Sequence, residues 1–332
     1  MLISICIPSL NRKNYLKQAL ESIFAYSEGK NYFEICISNN KSEEDYLEIE
    51  ELINNKKLEN WNIKYIIQNE RLDIDHHMHY VVQMASCDYC YLLGDDDFFI
   101  SNELSKLVKL VLNNNIDLAI FNGKVIDANN CFIKNHFNLP SKTYDSIEFA
   151  FKDLRDKGTF GSILVKRKHL NNYYFKLLYG SSHAYGCYWL SILNDYYNEA
   201  KIIIPDFQCV CLRSSEKNYN LAKVYYRDIP FELSLYSRWL NIGKPLSLHS
   251  IFESKINIKI KSLSFLAYMI FKGTKLDDIE QYNPKIVKNI AFEFKYFIAL
   301  FLVNTNIFKL LLKIRNSKLN NISFQKSEKN DD

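Results

Sequence analysis

Glycine and proline are scarce in this chain, at 9 and 6 of 332 residues. No stretch fits G-x-G-x-x-G or G-x-x-x-x-G-K-[ST], so a dinucleotide-binding dehydrogenase and a P-loop enzyme each lack the loop that cradles their phosphates. Charge of one sign is also missing. The net charge is +4, which leaves no electrostatic footprint for nucleic acid. The start, Met1-Leu-Ile-Ser-Ile-Cys-Ile-Pro8, has no basic leader and reads as a short strand instead of a secretory signal. A cytoplasmic chain with reduced thiols is the expectation. Eight cysteines are present, and Cys6, Cys36, Cys90 and Cys209 sit in apolar runs where the residue acts as a small hydrophobe. Cys87-Asp-Tyr-Cys90 has a zinc-like spacing, with Cys209-Val-Cys211 far downstream. In a strand, however, its two thiols point to opposite faces.

What is there is a globular composition, 48% hydrophobic and 24% charged, with 23 tyrosines and 22 phenylalanines. The length suits one large domain or a domain plus an appendage. Strand and helix alternate from the start. Strands are predicted at 2–7, 33–37, 63–67, 89–93 and 117–121. Between them lie a helix capped by Asn11, an acidic helical stretch at about 43–57, a helix at 74–86 and a helix from Leu104 to Leu112 capped by Ser101. This alternation implies an α/β fold with a mostly parallel, doubly wound sheet. After Gly123 the pattern changes. A hairpin turns at Asn129-Asn130, and Asp145 with Glu148 resembles a capping box. A strand is expected at 160–165, a helix at 182–199, and one or two strands at 201–212 broken at Pro205. From about 218 onward only helices are expected. The last of them, from Tyr296 through Leu310–Ile314, is interrupted by Asn304 and Asn306 and interleaved with lysines. Those interruptions argue against a spanning helix and leave core packing and an interfacial position both open. Residues 317–332 are polar and are expected to be disordered.

The chemistry concentrates after the fourth strand, where Gly94 precedes Asp95, Asp96 and Asp97. Adjacent carboxylates repel one another, and oxygen ligands suit a hard divalent ion such as Mg²⁺ or Mn²⁺. A polar turn is the alternative. In a parallel sheet, ligands bind beyond the carboxyl ends of the strands. The other ends are Pro8-Ser-Leu-Asn-Arg12, Ser38-Asn-Asn40 and Gln68-Asn-Glu-Arg71, all polar. A groove of this kind with a cation at one side suits a nucleoside diphosphate group.

The stretches SICIPSLNRKNYLKQALESI, FEICISNNKSEED and YIIQNERLDIDHHMHYVVQMASCDYCYLLGDDDFF, in that order and spacing, resemble the family 2 glycosyltransferases of GT-A fold. The likeness is nearest to the abequosyltransferase-like branch of bacterial surface-polysaccharide enzymes. It covers residues 1–125 well and 145–212 loosely. It implies a catalytic domain over 1–215, with a donor half at 1–125 and an acceptor half at 126–215, followed by a helical C-terminal region over 216–316. It further implies an inverting, metal-dependent transfer from a nucleotide-diphosphate sugar to a lipid-linked glycan acceptor. The C-terminal helices carry no recognisable match, and their pattern leaves peripheral membrane contact open. A module that binds a nucleotide sugar or glycan without turnover is the alternative. By this resemblance Pro8, Ser9, Asn11 and Arg12 border the nucleoside. Asn39 stands where an aspartate usually contacts the base, and Asn69 and Arg71 flank the nucleotide. The metal motif of the family is Asp-x-Asp. Aligned on the strand, its first acid is replaced by Gly94; read literally, Asp95-x-Asp97 fits. Asp97 and Asp96 are the expected metal ligands, with Asp95 near the sugar or a metal-bound water.

The family also carries an acidic pair at the head of a helix, one member of which deprotonates the acceptor. Aligned on Trp189-Leu190, that pair is Ala184-Tyr185 here. His183 is then the candidate base, with a helix cap or core role as its alternative, and Asp195 is a further candidate. Arg213 is a candidate contact to the diphosphate or a surface arginine. The cluster His76-His77-Met78-His79 resembles a zinc site, but adjacent helical residues point in different directions.

Overall fold

The computed structural model describes residues 1–155, 157–214, 221–231, 262–283, 287–288, 290–305 and 307–308. These residues belong to two compact units, one holding 1–214 and the other the described residues from 221–231 and from 262 onward.

In the first unit, β1 (Ile3–Ser9), α1 (Lys13–Phe24), β2 (Phe33–Asn39), α2 (Leu47–Leu58), β3 (Asn62–Ile67), α3 (Ile74–Gln83) and β4 (Tyr89–Leu92) alternate as their periodicities predict. There follow β5 (Phe98–Phe99), α4 (Glu103–Asn113), β6 (Leu118–Ile120), β7 (Asn122–Ile126), β8 (Phe132–Asn135) and β9 (Lys142–Tyr144). The unit ends with α5 (Ile147–Leu154), β10 (Ile163–Lys166), α6 (Asn172–Leu177), α7 (Cys187–Asp195), β11 (Ile202–Ile204) and β12 (Gln208–Arg213). Eight strands form one sheet in the order β3-β2-β1-β4-β10-β6-β11-β9, and β5-β12-β7-β8 form a second. In the larger sheet β1 runs parallel to β2 and β4, β2 to β3, and β6 to β11. β10 is reversed against both of its neighbours. The sheet is therefore mixed and mostly parallel.

Ile3, Ile5 and Ile7 of β1 and Phe33, Ile35 and Ile37 of β2 are fully buried, as are Leu16, Ala19, Leu20 and Ile23 on one face of α1. Continuous apolar burial is what a parallel strand covered on both faces requires. Glu34 is the exception on β2. Its buried carboxylate accepts from Ser4 Oγ (2.6 Å), Ser86 N (2.7 Å) and Ser86 Oγ (2.6 Å), and pairs with Lys64 Nζ (2.6 Å). Burial alone would raise its pKa, but these partners outweigh it and hold the group down at about 2.

Several local expectations need correction. Asn11 does not cap α1: it adopts a left-handed φ of 53°, and Arg12 is the capping position, with no side-chain bond. Asn102, not Ser101, is the N-cap of α4. The box at Asp145 and Glu148 does not form, because Ser146 precedes α5 and Glu148 instead accepts from the Tyr197 hydroxyl. The helix expected over 182–199 is confined to α7, preceded by a 3₁₀ turn over Ala184–Gly186.

In the second unit α8 (Leu263–Phe271), α9 (Leu276–Tyr282) and α10 (Ile290–Asn304) enclose a small core of Leu266, Ala267, Met269, Ile279, Phe292, Tyr296 and Ala299. α10 is apolar on two faces. It buries Phe292, Tyr296 and Ala299, while Phe294, Phe297 and Phe301 are 66%, 57% and 62% exposed. Among the described residues no helix is long and apolar enough to cross a membrane. Leu310–Ile314 and the polar tail from Ser317 lie outside the described residues.

Candidate functional site

Gly94 to Asp97 form a tight turn closed by the Asp97 N–H to the Gly94 carbonyl (3.2 Å). The chain leaves the larger sheet at β4, makes this turn, and enters the smaller sheet at β5. Asp95 Oδ2 accepts the Leu10 N–H (3.2 Å) from the end of β1. One guanidinium nitrogen of Arg12, Nη1, lies 3.0 Å from Asp95 Oδ1 and 3.0 Å from Asp96 Oδ2. Two carboxylate oxygens on successive residues thus converge on one cationic point. Burial pushes the Asp95 carboxyl up to about 6, with the Arg12 charge countering only part of that effect. Arg12 itself loses solvation but is held charged by Asp95 and Asp96, and its pKa rises.

Asp97 is placed differently from its neighbours. Its Oδ1 accepts the Arg213 N–H (2.9 Å), and its Oδ2 rests against two glycines. A Cβ on Gly94 would stand 2.7 Å from that oxygen, and one on Gly161, whose φ is +92°, would stand 2.6 Å from it. Burial and the adjacent Asp96 charge raise its pKa well above the carboxylate range. Asp97, expected as a metal ligand, is thus packed inside the turn, whereas Asp95 and Asp96 share the Arg12 guanidinium. The same packing explains Gly94. Any side chain at that position would collide with Asp97 and crowd Asp96 Oδ1, at 3.1 Å.

Arg213, at the end of β12, is 5% exposed and uses all five of its donors. Nε donates to the Asp96 carbonyl, Nη1 to the Asp127 and Ala128 carbonyls, and Nη2 to Gln18 Oε1 and Asn130 Oδ1, over 2.6–3.1 Å. The guanidinium also lies over the Tyr15 ring at 4.5 Å. It clamps the acid turn, α1 and the β7–β8 turn together, so the expected diphosphate contact is corrected to an internal one.

The other strand ends meet this edge. Pro8 and Ser9 pair with Ser38 and Asn39 across β1 and β2. Ser9 Oγ lies 3.0 Å from the Tyr46 hydroxyl, which also accepts the Arg12 N–H (3.1 Å). Asn11 receives no base-facing role from its contacts: its N–H donates to Ser42 Oγ and its Oδ1 accepts the Glu43 N–H. Asn39 is buried, accepting from the Ser42 N–H (2.9 Å) and donating to the Tyr65 hydroxyl (3.2 Å). Asn40 bridges to both the N–H and the carbonyl of Leu72. Asn69 and Arg71 are exposed, and Arg71 reaches Glu43 (3.3 Å). Tyr46 has no distinguishing local pattern in the sequence, and its role comes from contacts across loops.

His183 precedes the 3₁₀ turn at the head of α7. Gly161, beside Asp97, adjoins Phe160, whose ring meets Tyr185 at 5.3 Å; Tyr185 in turn lies 6.1 Å from the His183 ring. His183 thus sits at the carboxyl edge of the sheet. Asp195 does not. It lies at the far end of α7, is exposed and accepts from the Tyr174 hydroxyl (2.8 Å). The next residue, Tyr196, packs on His169 at 4.8 Å, and His169 binds Asp117 at the amino end of β6 (3.0 Å). Asp195 is therefore removed from the candidate site because α7 runs opposite to the parallel strands. Ser191, His169 and Asp117 are linked in series at 3.2 and 3.0 Å, but all three are buried and the set is internal to the amino edge. Of the 76–79 histidines, His76 faces Asp73, His77 faces Ser38, and His79 faces Tyr179 and Asn172. Their divergent partners disperse the zinc-like cluster.

The family model of glycosyl transferase family 2 matches residues 4–174, from β1 into α6. The chain belongs to glycosyltransferase family 2. It is similar to abequosyltransferase RfbV of Salmonella typhimurium, 26% identical over 211 residues that make up 58% of this chain. The match spans 62% of that curated relative's length. Among solved structures it is similar to TarS 1–349 of S. aureus in complex with UDP-GlcNAc, with a TM-score of 0.58 at 13% identity over 90% of this chain and 80% of that one. TarS 1–349 alone gives 0.53 at 12% identity, over 92% of this chain and 91% of the other. At such identities the likeness is one of fold, a GT-A arrangement. Asp95 and Asp96 offer carboxylate oxygens of the kind Mg²⁺ and Mn²⁺ prefer. In this structure those oxygens hold the Arg12 guanidinium, and among the described residues no group of three or more metal-binding side chains forms.

Proposed function

We propose that this chain transfers a sugar from a nucleoside-diphosphate donor to a hydroxyl of a glycan acceptor, with inversion. The observation that carries the reading is the pair Asp95 and Asp96 converging on the Arg12 guanidinium at the carboxyl edge of a family 2 sheet. With a nucleoside diphosphate at the ends of β1 and β4, Asp95 and Asp96 would hold Mn²⁺ or Mg²⁺ in place of that guanidinium. The ion, when bound, neutralises charge on the departing nucleoside diphosphate. Asp97 and Arg213 keep the turn in shape. His183 takes the acceptor proton. A thermal-shift screen of nucleoside diphosphates and nucleotide sugars with Mn²⁺ tests the donor reading, since a bound ligand raises Tm by mass action. No stabilising compound with or without the ion would sink it. Because Ala184-Tyr185 stand where an acidic pair is usual, binding without turnover is the second reading. A stabilising nucleotide sugar with no transfer across a glycan acceptor panel would favour it.

The raised carboxyl of Asp95 gives a pH prediction. In the metal-free site Asp95 is ionised above about 6 and protonated below it, so protons compete with the divalent ion, and its apparent Kd is expected to rise as pH drops below that value. Asp95→Asn should lose this pH dependence in a calorimetric Mn²⁺ titration. Persistence of the same dependence in the variant would assign it to another group.

The acceptor is proposed to be lipid-linked and the enzyme to sit on the cytoplasmic face of a bilayer. Two features of the second unit support this. Phe294, Phe297 and Phe301 line one exposed stripe of α10, and residues 218–233 with 249–332 carry 16 Lys and Arg against 10 Asp and Glu. Each phenylalanine entering an interface contributes about 1.5–3 kcal/mol. Phe297→Ser with Phe301→Ser is expected to reduce sedimentation with vesicles rich in anionic phospholipid by about tenfold or more. Equal sedimentation of variant and wild type would remove the membrane assignment.

A further inference from the structure

Asp75 is a buried carboxylate with no part in the donor site. It lies in the first turn of α3, the crossover helix between β3 and β4, and is 1% exposed. Among the described residues it pairs with no cation. Its Oδ2 accepts the N–H groups of Gly180 (2.8 Å) and Ser182 (3.0 Å), and its Oδ1 that of Ala184 (3.0 Å). Gly180 and Ser182 both have left-handed backbones, with φ of +86° and +62°. Alternating left-handed residues turn successive N–H groups to one side and make a concavity for an anion. Serine at such a φ is strained, and the three charge-assisted bonds offset the strain. The loop 180–184, which contains His183, is thus wrapped on a carboxylate borrowed from a helix more than a hundred residues earlier.

The same helix holds the preceding residue. His79 Nε2 donates to Asn172 Oδ1 (2.8 Å), which leaves Nδ1 to accept from the Tyr179 hydroxyl. The His79 ring stacks on Phe175 at 4.4 Å, and the His76 ring lies 4.0 Å from that of Tyr179. Two histidines of the zinc-like cluster are therefore spent on seating Tyr179, one residue before the wrapped loop.

We propose that α3 is the positioning platform for the acceptor-side loop: Asp75 fixes the conformation that presents His183, and His79 with His76 anchors the loop entrance through Tyr179. This rests on the transferase reading and on His183 as base. None of these α3 residues touches the acid turn, and α3 links the ends of β3 and β4 to the loop that precedes α7. Their removal should loosen the acceptor side and spare the donor side.

The test compares hydrogen exchange in the full-length wild type, Asp75→Asn and Tyr179→Phe. An asparagine keeps the shape of Asp75 but turns one acceptor oxygen into a donor that opposes an N–H. Peptides covering 179–184 are expected to exchange about tenfold faster or more in Asp75→Asn and about threefold faster in Tyr179→Phe. Those covering Leu10 to Asn40 and 94–97 should be unchanged. Unaltered protection at 179–184 would overturn the platform, and so would equal loosening of the donor-edge peptides. In transfer assays kcat is expected to fall about tenfold in Asp75→Asn with the donor KM within about twofold; a matching rise in donor KM would overturn the positioning role. If Asp75→Asn does not fold, Tyr179→Phe decides by the same two readouts. A wild type without transfer would count against the transferase reading alone, and the exchange comparison would still decide the platform.

Discussion

Asp96→Ala is expected to lower kcat/KM for sugar transfer by about 10³-fold, equivalent to about 4 kcal/mol of transition-state stabilisation. The size follows from where the charge goes. As the glycosidic bond breaks, a diphosphate gains negative charge in a groove whose nearest acids would repel it. A divalent ion held by Asp95 and Asp96, as proposed, would reverse that sign. Asp95 also accepts from Leu10 and sits deep in the turn, so its removal mixes chemistry with folding. Asp96 is the cleaner test. Its carbonyl, not its side chain, takes the Arg213 Nε bond, and alanine preserves that carbonyl. The fold should therefore survive, with a Tm within a few degrees of wild type. Nucleotide binding should lose its dependence on Mn²⁺ in calorimetry. If Asp96→Ala kept kcat/KM within threefold of wild type, the acids would not carry a catalytic cation. Asp97→Ala should behave differently, as a destabilised protein whose activity loss follows its folded fraction.

The second large effect is expected at Arg213. Substitution by alanine leaves the carbonyls of Asp96, Asp127 and Ala128 and the amide oxygens of Gln18 and Asn130 without their donors. An unsatisfied buried acceptor costs about 1–3 kcal/mol. Some of these groups reach water once the side chain is gone, so a loss of about 4 kcal/mol is expected, at the severe end for one substitution. Arg213→Lys is the discriminating variant. It keeps the charge, but an ammonium offers three donors from one point and cannot span two turns and a helix. It should still lose about 2–3 kcal/mol in a urea titration at unchanged m-value. A lysine variant within about 0.5 kcal/mol of wild type would mean that charge alone, not the forked geometry, holds the turn.

Much of the donor edge is legible from local pattern. The isoleucine-rich strands, the polar residues at their ends and the three acids after β4 all follow from periodicity and from the chemistry of clustered carboxylates. What is not legible is which acid does what. Asp95, Asp96 and Asp97 are equivalent in sequence, and their roles separate only because Gly161 and the Arg213 amide capture Asp97 from segments 64 and 116 positions away. The same holds for Asp195, whose removal from the site depends on the direction of α7. Asn11 and the box at Asp145 and Glu148 show a related limit. A capping residue type predicts a cap only when no tertiary partner claims its side chain, and Glu43 and Tyr197 claim those of Asn11 and Glu148. Arg213 at the end of a strand reads equally as a surface residue or a ligand contact; five acceptors from two turns and a helix make it neither.

The acid turn also constrains how long the chain is allowed to be at this point. Phe98 and Phe99 pair with Cys211 and Val210 in the smaller sheet, while Tyr89–Leu92 are fixed in the larger one. Adding or deleting one residue between Gly94 and Phe98 would exchange the buried and half-buried faces of β5 and carry the carboxylates off their cation. Substitutions among the three acids change chemistry, but a change of length would uncouple two sheets. A library of insertions along the chain should therefore find the exposed connection at 140–141, between β8 and β9, permissive, and a gap of zero tolerance from Gly94 to Phe99.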